Sequence, residues 1–367
     1  MQVKLLDLEG QYSDIKDAIL ASFSELLNSH QYVLGAQVAE LEEMMQEYNR
    51  CKYAIGCASG TDALVLALKA LDVQAGDEVI TTPFTFFATA GAIHRVGAKT
   101  VFADINPDTF NIDPNKISAA ITGKTKAIIA VNLFGQVAEM DKIMQIAQEN
   151  NIKVIEDNAQ GIGAEYDGKV AGTIADIGTL SFFPSKNLGA MGDGGMCLTN
   201  DAELAARLKQ LRVHGENPKY YHKWVGLNSR LDTIQAAVLK IKLPFLDGWS
   251  EQRRANADYY YKSLSDVKQI KLPVIHPKAK SIFNQFTIQA ENRDGLMEFL
   301  QANEIGCAIY YPQPLHLQEC FEYLGYKEGD FPISEKIAKK VLSIPIYSEL
   351  PREQQDFVIE KIQEFYK

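Results

Sequence analysis

Cysteine is scarce in this chain: five among 367 residues, at positions 51, 57, 197, 307 and 320. They are odd in number and scattered, and no two stand at the spacing of zinc or iron–sulfur ligands. They therefore read as reduced core or surface thiols rather than a disulfide framework or a metal site. Long apolar runs are missing too. No stretch approaches the roughly 18 residues that a bilayer-spanning helix requires, and the opening MQVKLLDLEGQYSD has no apolar signal core. A cytoplasmic protein without a membrane partner is the expectation. Positive charge is in short supply: 37 Lys and Arg stand against 47 Asp and Glu, a formal charge of −10. That argues against a nucleic-acid partner, while leaving room for a local basic pocket that takes a phosphorylated small molecule. No strand pattern is followed by G-x-G-x-x-G, which sets aside a nicotinamide-dependent oxidoreductase. Repeats and low-complexity segments are likewise absent.

What is present has the make-up of a large soluble enzyme, 46% apolar and 23% charged, long enough for two domains. From residue 53 to 200, short apolar runs alternate with helical patterns. The strand candidates are YAIGCA (53–58), DEVITT (77–82), TVFADI (100–105), KAIIAVNLF (126–134), KVIEDNA (153–159), IGTLSFF (177–183) and GGMCLT (194–199). Several are almost continuously apolar, as buried parallel strands are. Between them lie helical patterns such as DALVLALKAL, in which Leu64, Ala67, Leu68 and Leu71 share a face, AEMDKIMQIAQEN and DAELAARLKQL. This alternation predicts an α/β sheet flanked by helices. After about residue 230 comes a long helical stretch broken near Pro244, then a smaller α+β region with strand candidates NQFTIQA (284–290) and CAIYYP (307–312). We expect a large domain over residues 1–245 and a small C-terminal one over 246–367.

The most telling stretch is SFFPSKNLGAMGDGGMCLTN, residues 181–200. A lone lysine, Lys186, follows two phenylalanines and precedes a run rich in glycine. An amine framed in this way is kept partly out of water, where its pKa falls and it acts as a nucleophile. Four other segments supply complementary groups. In CASGTDALVLAL (57–68) a strand ends, a tight turn follows and a helix begins, leaving free amides and hydroxyls around Gly60 and Thr61 for a phosphate. In VIEDNAQGIGA (154–164), Glu156 and Asp157 close an apolar strand at the sheet edge where α/β proteins bind ligands, with Gln160 just beyond. The tract ITTPFTFFATAGAI (80–93) offers an aromatic plate for a flat ligand, and VGLNSRLDTIQAAVL (225–239) offers Asn228 and Arg230 ahead of a helix that Asp232 is placed to cap. Alone, each has a plainer reading: Ser59 or Thr61 as a helix cap, the carboxylates and Gln160 as turn residues, the phenylalanines as core, Arg230 as a surface ion pair. Together they make up the protein parts of a pyridoxal-phosphate enzyme, which needs a lysine, an acidic partner for the pyridine nitrogen, a phosphate cradle and an aromatic cover.

At this point the sequence resembles the DegT/DnrJ/EryC1/StrS family of aminotransferases, which aminate keto groups on nucleotide-linked sugars. The resemblance runs from DLEGQY (7–12) to YYPQPLHLQ (310–318). Its most specific matches are SGTDAL (59–64), EDNAQ (156–160), SFFPSKNLG (181–189), GDGG (192–195) and GLNSRLD (226–232). It implies the aspartate aminotransferase type I fold, an α/β domain around a mostly parallel seven-stranded sheet plus a smaller α+β domain, assembled as a homodimer with shared active sites. It implies pyridoxal 5'-phosphate as cofactor, with Lys186 as the lysine that carries it, Asp157 at the pyridine nitrogen and Gln160 beside the phenolic oxygen. Gly60, Thr61 and Ser181 match the phosphate cradle, and Phe86 the aromatic that stacks on the ring. Asn228 matches a residue reaching the phosphate from the neighbouring subunit, and Arg230 one that contacts the nucleotide-sugar.

The implied reaction takes an amino group from L-glutamate and passes it to a nucleotide-ketosugar, dTDP- or UDP-linked and with its keto group at C3, in amino-sugar biosynthesis for a surface polysaccharide or a glycosylated metabolite. Lys186 is implied to shuttle the proton at the substrate carbon. Relatives that remove a hydroxyl instead carry histidine in place of this lysine, so Lys186 favours transamination over the alternative, a dehydratase or lyase on the same scaffold. A binding or regulatory protein with a decayed pocket is disfavoured by the intact Lys186, Asp157 and Ser181. Where many relatives read His-Tyr-Pro, this chain reads Tyr310-Tyr311-Pro312, which changes the expected sugar contacts at Tyr310 and Tyr311.

Overall fold

A computed structural model describes residues 1–367. Its centre is a seven-stranded sheet of β1 (Tyr53–Cys57), β2 (Glu78–Thr81), β3 (Lys99–Phe102), β4 (Thr125–Val131), β5 (Lys153–Asp157), β8 (Ile177–Ser181) and β9 (Gly195–Thr199). The spatial order is β1-β9-β8-β5-β4-β2-β3. β3, β2, β4, β5 and β8 pair in parallel, whereas β9 pairs antiparallel with both β8 and β1. A two-strand hairpin, β6 (Glu165–Tyr166) and β7 (Lys169–Val170), hangs between β5 and β8.

The apolar runs make central strands because both faces of the sheet are covered. Side chains alternate across it. Ile129 and Ile155 face one core, packed on Leu64, Leu68 and Leu208, while Ile128, Ala130 and Val154 face another, packed on Ile143 and Ala147. The helix Gly60–Ala70 lies inside the first core, and every residue from Ala63 to Leu68 is buried. Its apolar face is therefore wider than the single stripe its spacing suggests.

The later part of the chain begins with the helix Leu246–Leu264, joined to the helix Thr233–Lys242 by a 3-10 turn, Leu243–Phe245, at Pro244. A second sheet, β10 (Ile270–Lys271), β12 (Phe286–Ala290) and β13 (Val341–Ile344), is antiparallel, and β11 (Ala279–Lys280) crosses to pair with β6. Phe286, Ile288, Leu342 and Ile344 pack against Tyr260, Leu296 and Val358. Val3 joins this second core and pairs with Ile305, so the chain's first residues sit against its later half. CAIYYP does not form the strand expected of it: only Ala308 bridges to Ser343, and the segment then turns away to bring its tyrosines to the first sheet.

Candidate active site

The C-terminal ends of β1, β5 and β8, with the segment after β2, converge on one edge of the large sheet, as crevices of open α/β sheets do. After β1, Ser59 takes extended backbone and caps the helix Gly60–Ala70, its Oγ accepting from the Asp62 amide at 3.1 Å. The plainer sequence reading therefore holds for Ser59, while Thr61 makes no such bond and stays available. Gly60 is required by a close approach: a Cβ there would stand 2.6 Å from Ser181 Cβ, at the end of β8. Gly60 and Ser181, two of the three residues expected to form the cradle, thus lie in contact, a helix start against a strand end.

Asp157, the last residue of β5, is buried, its carboxylate accepting from Thr89 Oγ1 at 2.8 Å and from the Ala159 amide at 3.3 Å. Burial pushes its pKa up, while Thr89, Ala159 and the Lys186 charge pull it back. Glu156 points the other way. It is fully used by the amides of Gly172 (2.8 Å), Ile174 (2.8 Å) and Ala175 (3.0 Å) and by Asn132 Nδ2 (3.2 Å), which folds the 172–175 turn against the sheet.

Lys186 does not end the strand. β8 stops at Ser181, and the lysine lies in the following turn, its amide donating to Phe183 O at 2.8 Å. Its side chain is half-buried by surface, yet its amine forms no hydrogen bond or ion pair with the chain. Its surroundings lower its pKa from 10.5 to about 8, burial outweighing the pull of Asp157. An unpartnered, desolvated amine near a buried carboxylate is a nucleophile held in reserve.

Gln160 is tied on both sides, accepting from the Phe134 amide at 2.7 Å and donating to Tyr311 OH at 3.2 Å. Tyr311 lies 6.3 Å from the ring of Phe86, which is 57% exposed, and Tyr310 lies 5.8 Å from Tyr311. Phe86 and Thr61 line one cleft. Asn228 and Arg230 line a second, polar cleft of about 510 Å³ with Ser59, Asp193, Asp232 and Gln235. Their segment is fixed by Ser229, whose Oγ accepts from the Ala58 amide at 3.2 Å and whose amide donates to Arg212 O at 3.0 Å. Asp232 occupies the N-cap of the next helix, but its side chain makes no capping bond. The sequence-predicted residues thus form a joined inner group (Asp157, Gln160, Lys186, Tyr311) and two outer sets on either side of the Ser59–Thr61 turn. Thr89, which orients Asp157, and Asn187, which anchors the turn after Lys186, were missed. Thr89 sits within the aromatic tract and Asn187 within SFFPSKNLG, yet both act through partners far away in sequence.

These residues fit pyridoxal phosphate on the structure's own terms: a cradle that a Cβ would fill, a free amine and a buried carboxylate able to hold a protonated ring nitrogen. Comparison with known proteins agrees. The model of the DegT/DnrJ/EryC1/StrS aminotransferase family matches residues 13–363. A "Pleiotropic regulatory protein" of Geobacillus stearothermophilus is 52% identical, over 100% of this chain and 99% of its own length. UDP-N-acetyl-3-dehydro-alpha-D-glucosamine 3-aminotransferase of Acidithiobacillus ferrooxidans is 43% identical over 96% of this chain and 95% of its own. In fold, the crystal structure of S. venezuelae DesV in complex with a ketimine intermediate matches with a TM-score of 0.98 at 38% identity, covering 100% of this chain and 99% of that one. The structure of ntda from Bacillus subtilis with bound cofactor PMP matches at 0.91 and 33%, covering 100% and 86%.

Proposed function

This chain belongs to the DegT/DnrJ/EryC1/StrS aminotransferase family, and from that premise we propose that it aminates the 3-keto group of a dTDP- or UDP-linked sugar, with L-glutamate as donor. It is a pyridoxal-phosphate-dependent aminotransferase, with the fold of those enzymes. The observation that carries the reading is the free, desolvated amine of Lys186 across from buried Asp157 at the sheet edge. The choice of substrate is supported by relatives named for amination at C3 of nucleotide-linked sugars. A nucleotide-linked amino sugar as product supports a role in the cytoplasmic supply of a surface polysaccharide or a glycosylated metabolite.

When bound, the cofactor supplies an electron sink for the carbanion formed at the substrate carbon. The chain's own residues do the rest. Gly60 and Thr61 amides, with the Thr61 and Ser181 hydroxyls, would hold the phosphate at the N-terminus of the helix Gly60–Ala70. Phe86 would cover the ring face and Gln160 would meet the phenolic oxygen. Asp157, fixed by Thr89, keeps a proton on the ring nitrogen. Lys186 Nζ takes the proton from the substrate carbon, a general-base role suited to an amine whose pKa is about 8. Tyr310 and Tyr311 face the sugar in place of the His-Tyr of other relatives.

Asn228 and Arg230 serve the neighbouring subunit of a homodimer in this reading. An exposed apolar patch beside their cleft supports it: Tyr32, Val33, Leu34, Met191 and Ile234 are all exposed. They are brought together by the Val33–Asp232 bridge and by the Met191 amide donating to Gln235 Oε1 at 2.8 Å. Monomers rarely leave such a patch in water. The test is a panel of dTDP- and UDP-linked ketosugars incubated with enzyme and glutamate, read by product mass. An amino sugar formed together with 2-oxoglutarate is expected. A deoxy sugar, or no product from any 3-keto member, overturns the reading.

A further inference from the structure

Helix Thr233–Lys242 ends on Lys242, whose side chain is fully buried. A buried ammonium is costly unless its surroundings replace the lost water. No carboxylate lies within ion-pair distance. Instead Nζ donates to the carbonyl of Gly189 at 2.7 Å and lies 4.8 Å from the ring centroid of Tyr12 and 5.7 Å from that of Trp249. Two aromatic faces and one carbonyl make a cation cage. Burial still lowers the pKa to about 8, against the pull of Glu349.

The carbonyl it holds lies three residues past Lys186. That turn is closed at its base by the Ala190 amide donating to Phe182 O at 2.7 Å and by the Phe182 amide donating to Gly194 O at 2.8 Å. Gly189 packs so closely that a Cβ there would stand 2.4 Å from Pro184 O, so the two limbs of the turn move together. Asn187 supplies a second tether, accepting from Asn284 Nδ2 at 2.8 Å and donating to Ile282 O at 3.3 Å. Between these tethers the turn has little freedom left, and Lys186 projects from it.

We propose that Lys242 is a positioning residue: through the Gly189 carbonyl it fixes the turn that carries Lys186 and so sets the reach of the Lys186 amine towards the cofactor and Asp157. The inference rests on the reading of Lys186 as the cofactor lysine. A role in stability alone predicts something different, namely variants that melt earlier while Lys186 reacts normally in the folded fraction.

The test uses the full-length apo-protein and pyridoxal phosphate alone, so no ketosugar enters it. The rate at which Lys186 bonds to added cofactor is followed by absorbance and by borohydride trapping with mass analysis. In Lys242→Met, which keeps chain length and apolar bulk, that rate is expected to fall between about tenfold and a hundredfold. Lys242→Arg, which keeps the charge and a donor, is expected to recover part of the loss. A folded Lys242→Met whose bonding rate stays within about twofold of the parent overturns the proposal. Should Lys242→Met fail to fold, Tyr12→Leu takes its place, and an unchanged bonding rate there overturns the proposal equally. Lys186→Ala is the control: if it still traps cofactor, the premise about Lys186 has failed rather than the role of Lys242.

Discussion

At the scale of single residues, the proposed site turns on one amine and one carboxylate with opposite demands. Lys186 must shed its proton to attack, and burial has moved that event from 10.5 to about 8. The sign is direct: below about 8 the amine is protonated and inert, above it neutral and reactive. The bonding rate of apo-protein with pyridoxal phosphate should therefore rise with pH to a midpoint near 8, measured by stopped-flow absorbance, and not near 10.5 as for a free lysine. In the proposed mechanism the carboxylate is Asp157, since Glu156 is spent on the 172–175 turn. Asp157→Asn keeps an acceptor for Thr89, so the protein should fold and bind cofactor yet lose roughly 10²-fold or more in kcat. Glu156→Gln should behave in the opposite sense. It weakens a carboxylate that three backbone amides share, which costs about 1–3 kcal/mol in a urea titration, while kcat of the folded enzyme stays close to the parent's.

At the scale of elements, the start of the helix Gly60–Ala70 carries two separable jobs, one at its N-cap and one two residues on. Ser59 spends its oxygen on the Asp62 amide, whereas the Thr61 hydroxyl makes no bond within the chain. Ser59→Ala should therefore cost about 1 kcal/mol of stability, the usual worth of an N-cap. Thr61→Ala should leave stability nearly untouched and weaken cofactor affinity by about tenfold, as expected for a hydrogen bond to a charged phosphate. Urea unfolding of apo-protein paired with cofactor titration separates the two. A Thr61→Ala protein with unchanged affinity would remove Thr61 from the cradle.

At the scale of the whole molecule, the proposed dimer completes sites that one chain leaves in two clefts. If Arg230 serves the partner's site, Lys186→Ala and Arg230→Ala chains each fail alone. Mixed dimers then carry one doubly defective site and one intact site. Co-expression should restore activity to at most about half per heterodimer. Subunit exchange without recovery would assign Arg230 to its own subunit. Ile234→Asp should loosen the same contact, seen as a shift to monomer in sedimentation, because it puts a charge into the exposed apolar patch.

How much of this was legible in the sequence depends on how far each signal reaches along the chain. The seven sheet strands and the helix Gly60–Ala70 follow from short apolar runs and helical spacing, and they appear where read, with ends displaced by a residue or a few. Lys186, Asp157 and the Ser59–Thr61 turn were visible because each sits in a local pattern: glycine beside a strand end, a carboxylate closing an apolar run, a hydroxyl ahead of a helix. CAIYYP misled because its β-branched and aromatic composition mimics a strand, although Tyr311 is spent on contacts with Phe84, Phe86 and Gln160. Other features had no local signal at all. Glu156 and Asp157 are adjacent, and only the pleat of β5 decides which faces the site and which faces the 172–175 turn. Lys242 reads as an ordinary helix-end lysine until the fold brings Tyr12 and Gly189 around it from 230 and 53 residues away. Local periodicity is set by backbone geometry that the sequence carries within a turn or a pleat. Desolvation of an amine is set by whichever distant groups displace its water, and only the tertiary structure chooses those.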